Sequence, residues 1–243
     1  MNARYRQQTF FLKNTLRGSS LIQILIYANL ILFSLMVLHG TVLGLGMRAI
    51  MNPPADLMVR WGGQYWPWVL QNGEWWRCIT YAFTHGGLIH LGFNMVVLYQ
   101  VGPLLETEIG WSRLFSVYTL TALVATLAGL LWHPMTVVVG ASGAIFGLIG
   151  FSISYYHRVG GALGLQRRNF MLQWALLALV FGFVVGADNA AHLGGAISGA
   201  LCGWLLPLGV RGQRRTDKLF RGFALACAAI TAISILFIPL SWL

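Results

Sequence analysis

An all-α, polytopic membrane helix bundle is the fold this sequence predicts, and three observations carry it. Only 9% of the 243 residues are charged, against roughly 25% in ordinary soluble domains. Hydrophobic residues make up 57%. The charges are clumped, which leaves residues 18–47, 78–105, 114–157, 169–187, 189–210 and 222–243 without Asp, Glu, Lys or Arg. A helix needs about 20 mainly apolar residues to cross a bilayer. The longest stretch contains His133-Pro134 near its middle, a natural turn, so it divides into two spans and seven helices are expected. Only helices and closed barrels satisfy their backbone groups in lipid, and a barrel shows short alternating segments rather than continuous apolar runs.

In chain order, residues 1–19 form a short polar and basic segment. Span 1 (about 20–47) runs outward and is read as uncleaved, because its apolar run is too long for a signal peptide. Residues 48–83 hold Trp61, Trp66, Trp68, Trp75 and Trp76, half of the ten tryptophans, with Tyr65. Tryptophan favours the headgroup layer, so this segment is expected to lie in the outer interface. Span 2 (about 85–104) ends at Glu106 and Glu108, and span 3 covers about 112–132. Span 4 (about 141–157) leads into a basic loop with Arg167 and Arg168. Spans 5 and 6 cover about 169–186 and 190–209. The sequence thus divides into a six-helix core, 20–209, and an appended unit, 210–243, made of a basic linker and a seventh span at about 221–241.

A net charge of +10 suggests nucleic acid until the charges are placed. With the N-terminus inside, the inner segments hold Arg4, Arg6, Lys13, Arg17, Arg113, Arg158, Arg167, Arg168, Arg211, Arg214, Arg215, Lys218 and Arg221. The outer segments hold only Arg48, Arg60 and Arg77. That asymmetry fixes a cytoplasmic N-terminus and an outer C-terminus, and it assigns the charge to topology and anionic lipid rather than to nucleic acid. Cys78, Cys202 and Cys227 are odd in number and lack a CxxC, so they read as packing residues.

Ionisable and polar groups within a membrane are costly and mark function by default. The three inward-running spans carry such groups near their outer ends: His85, His90 and Asn94 in span 2, Ser142 in span 4 and His192 in span 6. Topology alone puts them at one shallow depth. His90 and Asn94, four apart, share a helix face, whereas His85, about 140° from His90 on a helix, is expected to stand apart from their site. Ser142 lies in Gly140-Ala141-Ser142-Gly143, where glycines permit a tight approach and a helix start. Free N–H groups at a helix N-terminus suit a developing oxyanion. Gly143-xxx-Gly147 in span 4 and Gly195-xxx-Gly199-xxx-Gly203 in span 6 allow those helices to touch, which a serine–histidine hydrogen bond between them requires.

Other hydrolytic chemistries lack their parts. There is no HExxH and no pair of histidines four apart. The acids Asp56, Glu74, Glu106, Glu108, Asp188 and Asp217 lie at loops or span ends, so no intramembrane aspartyl pair exists. No metal or cofactor is expected. Asp188, four before His192, reads as an exposed loop charge rather than a third catalytic acid. A transporter or channel would continue its polar residues into the inner half of the bundle, where the spans are nearly all apolar.

These motifs resemble the rhomboid intramembrane serine proteases. Trp76-Arg77, then His85…His90…Asn94, then Gly140-Ala141-Ser142-Gly143, then Ala191-His192…Gly195…Gly199 follow that family's order and spacing over about residues 20–209. The seventh span is similar to the six-plus-one layout of part of the family. The resemblance implies a serine endopeptidase that cuts transmembrane segments of other membrane proteins near the outer face. Ser142 would be the nucleophile and His192 the general base, with His90, Asn94 and backbone N–H near Ser142 as the oxyanion hole. Phe146 stands where several relatives have a tyrosine against the base; a phenyl ring can still stack on imidazole, so the orientation of the base is expected to survive. The implied partners are transmembrane substrates and lipid, and the implied location is a bacterial inner membrane. The alternative is a catalytically inactive relative that binds membrane proteins.

Overall fold

The computed structural model describes residues 20–242, so the N-terminal segment 1–19 lies outside the described residues. Among the described residues seven helices reach seventeen residues or more. They are α1 (Ser20–Val42), α6 (Leu88–Ile109), α7 (Trp111–Trp132), α8 (Ser142–Val159), α9 (Gly161–Val185), α10 (Asn189–Leu205) and α11 (Gly209–Leu240). Between α1 and α6 the chain folds into short helices α2 (Met47–Met51), α3 (Ala55–Arg60), α4 (Trp66–Gln71) and α5 (Arg77–Thr80), and a 3-10 turn at Tyr81–Phe83. The described residues hold no strand, only an isolated antiparallel bridge between Gln64 and Val138. Helices α1, α6, α7 and α11 are long and apolar enough to cross a bilayer. The molecule is an all-α membrane helix bundle.

Several helices run past the apolar stretches that revealed them, because hydropathy marks the hydrocarbon layer and not the end of hydrogen bonding. Helix α6 starts at Leu88 after Gly87, whose φ of +129° favours glycine, and continues through Pro103 to Ile109. Glu106 and Glu108 therefore lie within it. The Glu106 carboxylate accepts from the Leu21 and Ile22 N–H groups, both at 3.3 Å, satisfying donors that the first turn of α1 leaves open. The expected basic loop at Arg167 and Arg168 belongs to α9, where Arg167 meets Glu108 at 2.5 Å. The expected basic linker Arg211–Arg221 is helical too, forming the first turns of α11.

The centre of the bundle is α8, held between α7 and α10. Small residues set the spacing. A Cβ added to Gly195 would lie 2.1 Å from the Gly143 carbonyl oxygen, and one on Gly199 would lie 1.9 Å from that of Gly147. Only glycine permits backbones this close. Helix α11 is fastened at both ends rather than merely appended. At one end Phe237 stacks on Trp76 with centroids 4.8 Å apart, and Trp242 Nε1 donates to the Arg60 carbonyl at 2.8 Å. At the other, Arg113 pairs with Asp217 at 3.1 Å and donates to the Gln213 carbonyl. Buried Arg77 ties the tryptophan-rich segment together, pairing with Glu74 at 2.5 Å and donating to the Val59 and Gly63 carbonyls. Burial pulls its guanidinium below the ordinary value, and the Glu74 carboxylate opposes that.

Candidate active site

Ser142 is the first residue of α8, and the turn that delivers it depends on Gly140. Gly140 has φ +117°, and its N–H donates to the Tyr81 carbonyl at 2.9 Å. A Cβ there would strike the His90 ring at 2.7 Å and stand 3.7 Å from Asn94 Nδ2. The loop before the serine is thus pressed against both polar side chains of α6. His90 Nδ1 accepts from the Gly86 N–H at 3.3 Å. In a neutral ring that leaves the proton on Nε2, the atom that faces Gly140. Asn94 Nδ2 donates to the His90 carbonyl at 3.0 Å, and its second hydrogen stays available.

His192 sits in the first turn of α10, and its Nε2 lies 2.9 Å from Ser142 Oγ. The glycine contacts along α8 and α10 bring these two first turns together. Phe146, one turn beyond the serine, stacks on the imidazole at 4.3 Å and 20°. On α9, Gly182 has no side chain to intrude: a Cβ there would lie 3.0 Å from His192 Cε1. His192 Nδ1 is buried with no hydrogen-bond partner. No acid therefore backs the histidine.

Asp188 is not the exposed loop charge expected. It is half-buried and caps α10, its Oδ1 accepting from Ala190 N–H at 2.9 Å and Ala191 N–H at 3.2 Å. His85 also differs from expectation. It precedes α6 instead of lying on it, so helical angles do not apply, and its buried ring meets that of His90 edge-on at 5.2 Å. Tyr81 was missed. It anchors the serine loop through its carbonyl while its hydroxyl donates to the Ala122 carbonyl at 2.7 Å. Only the fold reveals that, since no spacing links residues 81, 122 and 140.

Ser142, His192, His90 and Asn94 line one narrow slot, closed between α6 and α9 by Phe93 stacked on Phe181 at 3.8 Å. Ser142 and His90 also face a wider cavity of about 590 Å³ shared with His133 and Asp188. Among the described residues, no three His, Cys, Asp or Glu side chains cluster as a metal site. A hydroxyl in hydrogen-bond contact with an imidazole, beside donors and a roomy cavity, has the parts for acyl transfer.

A family model described as Rhomboid domain matches residues 72–208. The chain is 34% identical over 146 residues to RHOMBOID-like protein 5 of Arabidopsis thaliana, covering 58% of this chain and 47% of that one. It is 33% identical over 140 residues to Rhomboid protease GluP of Bacillus subtilis (strain 168), covering 54% and 26%. It is 36% identical over 151 residues to Rhomboid protein 1, mitochondrial, of Saccharomyces cerevisiae, covering 55% and 42%. The chain thus spans about half the length of the plant and yeast relatives and about a quarter of the Bacillus one. The family match takes in the serine turn, the histidine helix and the Trp76-Arg77 element in one continuous segment, and the chain belongs to the rhomboid family.

Proposed function

We propose that this chain is an intramembrane serine endopeptidase that cleaves transmembrane segments of other membrane proteins near the outer face. The observation that carries the reading is the 2.9 Å contact between Ser142 Oγ and His192 Nε2, made from two separate helices. Ser142 Oγ attacks the scissile carbonyl carbon while its proton passes to His192 Nε2. The oxyanion receives hydrogen bonds from His90 Nε2–H, the free Asn94 N–H and backbone N–H at the start of α8. Collapse of the tetrahedral intermediate breaks the C–N bond, and His192 returns the proton to the leaving amine. Water then repeats the sequence on the acyl-enzyme and frees Ser142. Because a helical peptide bond is shielded, the substrate must unwind locally, which favours segments with Gly, Ala, Ser or Pro near the cut.

In this reading residues 20–209 form the catalytic core and 210–243 extend it. The N-terminus is assigned to the cytoplasm on the charge asymmetry, and the membrane to the bacterial cell (inner) membrane. The test uses purified protein in liposomes with a model transmembrane substrate and a fluorophosphonate probe. Wild type should cleave and label, and Ser142→Ala and His192→Ala should do neither. Cleavage by either variant at the wild-type rate would remove the mechanism. Substrate binding by an unlabelled, inactive wild type would instead favour the non-catalytic alternative.

A further inference from the structure

A second cavity, remote from the serine, lies where the seventh helix leaves the core. It has a volume of about 420 Å³ and is walled by Leu120 of α7, Phe151 of α8, Leu205 of α10, and Phe220 and Phe223 of α11. Leu205 and Phe223 stay exposed, so the groove opens sideways into the bilayer. Water in so apolar a cleft gains few hydrogen bonds, and an empty one forfeits dispersion contacts along its whole lining. A hydrocarbon chain restores them.

One end of the groove is basic. Arg113 donates to Thr216 Oγ1 at 3.3 Å and lies 5.2 Å over the Phe220 ring, and both of these residues line the groove. Arg158 donates to the carbonyl of Leu206, another lining residue, at 2.7 Å. The first turns of α11 add Arg211, Arg214, Arg215 and Lys218, all exposed and, among the described residues, in no ion pair. The acid among them, Asp217, is held by Arg113 and Arg221. Positive charge therefore collects on the first turns of α11, the helix whose Thr216, Phe220 and Phe223 line the groove. Basic pockets between membrane helices on the inner face recognise anionic headgroups, and guanidinium groups bind phosphate through charge-assisted hydrogen bonds.

We propose that this groove is a specific site for one anionic phospholipid. An acyl chain lies between α7, α10 and α11, and the phosphate rests on the basic rim. The lipid then fills the gap where the seventh helix does not itself touch the core. The inference rests on the bundle and its charges, and it stands whether or not the protein cleaves anything.

The full chain is reconstituted in nanodiscs of phosphatidylcholine with a minor share of phosphatidylglycerol, and retained lipid is counted by native mass spectrometry. Wild type should keep one phosphatidylglycerol in preference to phosphatidylcholine, and added inorganic phosphate should not displace it. Leu120→Trp, which fills the groove, should release it. Arg215→Gln should weaken retention about fivefold, as expected for one basic group near an anionic headgroup. Unchanged thermal melting of Leu120→Trp shows that the variant is folded. Should Leu120→Trp misfold, Cys202→Leu, which also narrows the groove, takes its place. Equal retention of both lipids, or phosphatidylglycerol kept by folded groove-filled protein, overturns the proposal. So does a two-copy species that the same tryptophan abolishes, since that assigns the groove to self-association.

Discussion

Gly199→Ala is the sharpest test of how the active site is held together. The added Cβ would stand 1.9 Å from the Gly147 carbonyl oxygen, against the 3.4 Å where ordinary contact begins. The difference means that α8 and α10 must separate by about 1.5 Å at that point. Residue 199 lies two turns along α10 from His192. If half the displacement reaches the first turn, the Ser142–His192 contact of 2.9 Å opens to about 3.6 Å, beyond hydrogen-bond range. Misplacement of about 1 Å can cost about a hundredfold in rate, and overpacking costs about 1–3 kcal/mol of stability. The assay compares kcat on a model transmembrane substrate in liposomes and thermal melting for wild type, Gly199→Ala and a control, Gly222→Ala, where an added Cβ meets open space. The control should match wild type while Gly199→Ala loses both rate and melting temperature. Wild-type kcat and melting in Gly199→Ala would refute the view that glycine contacts set the geometry of the pair.

Further outcomes follow from the site. Asn94→Ala should lower kcat by about 10²–10³-fold, the usual cost of one oxyanion donor; steady-state kinetics reads it. Phe146→Ala should remove about 0.5–1.5 kcal/mol of ring stacking on His192, seen as a roughly two- to twelvefold fall in labelling rate. Asp188→Asn should keep most activity because asparagine caps a helix as well as aspartate, whereas Asp188→Ala should cost about 1 kcal/mol of stability. A loss above about a hundredfold in Asp188→Asn, measured on the same substrate, would make the residue a catalytic acid instead of a cap. Phe237→Ala should lower melting by removing the stack on Trp76, and thermal unfolding in detergent checks it.

The sequence made the bundle and the chemistry legible to different depths. Charge-free runs exposed all seven long helices because the bilayer penalises every ion, but the same signal ended several helices too early and ran past Val42 and Leu205, where the first and sixth long helices stop. Glu106, Arg167 and Arg211 continue their helices beyond the apolar layer, since charge leaves lipid without breaking backbone hydrogen bonds. Topology placed Ser142, His192, His90 and Asn94 at a common level, and the folded chain brings all four to one slot. Spacing misjudged His85, because the angular rule assumes a helix that begins only at Leu88. It also misread Asp188, whose role depends on where α10 starts. Tyr81 and the Phe93–Phe181 closure were invisible, because each depends on contacts between segments that share no motif.

The orphaned Nδ1 of His192 has a consequence for biogenesis. A carboxylate behind the imidazole would be a further ion to desolvate as the first turn of α10 enters the membrane, and ions there are costly. Here the ring is steadied by a phenyl face and a bare stretch of neighbouring backbone, both neutral. The pair thus needs no ion behind the ring, and it is completed by two rods closing on each other.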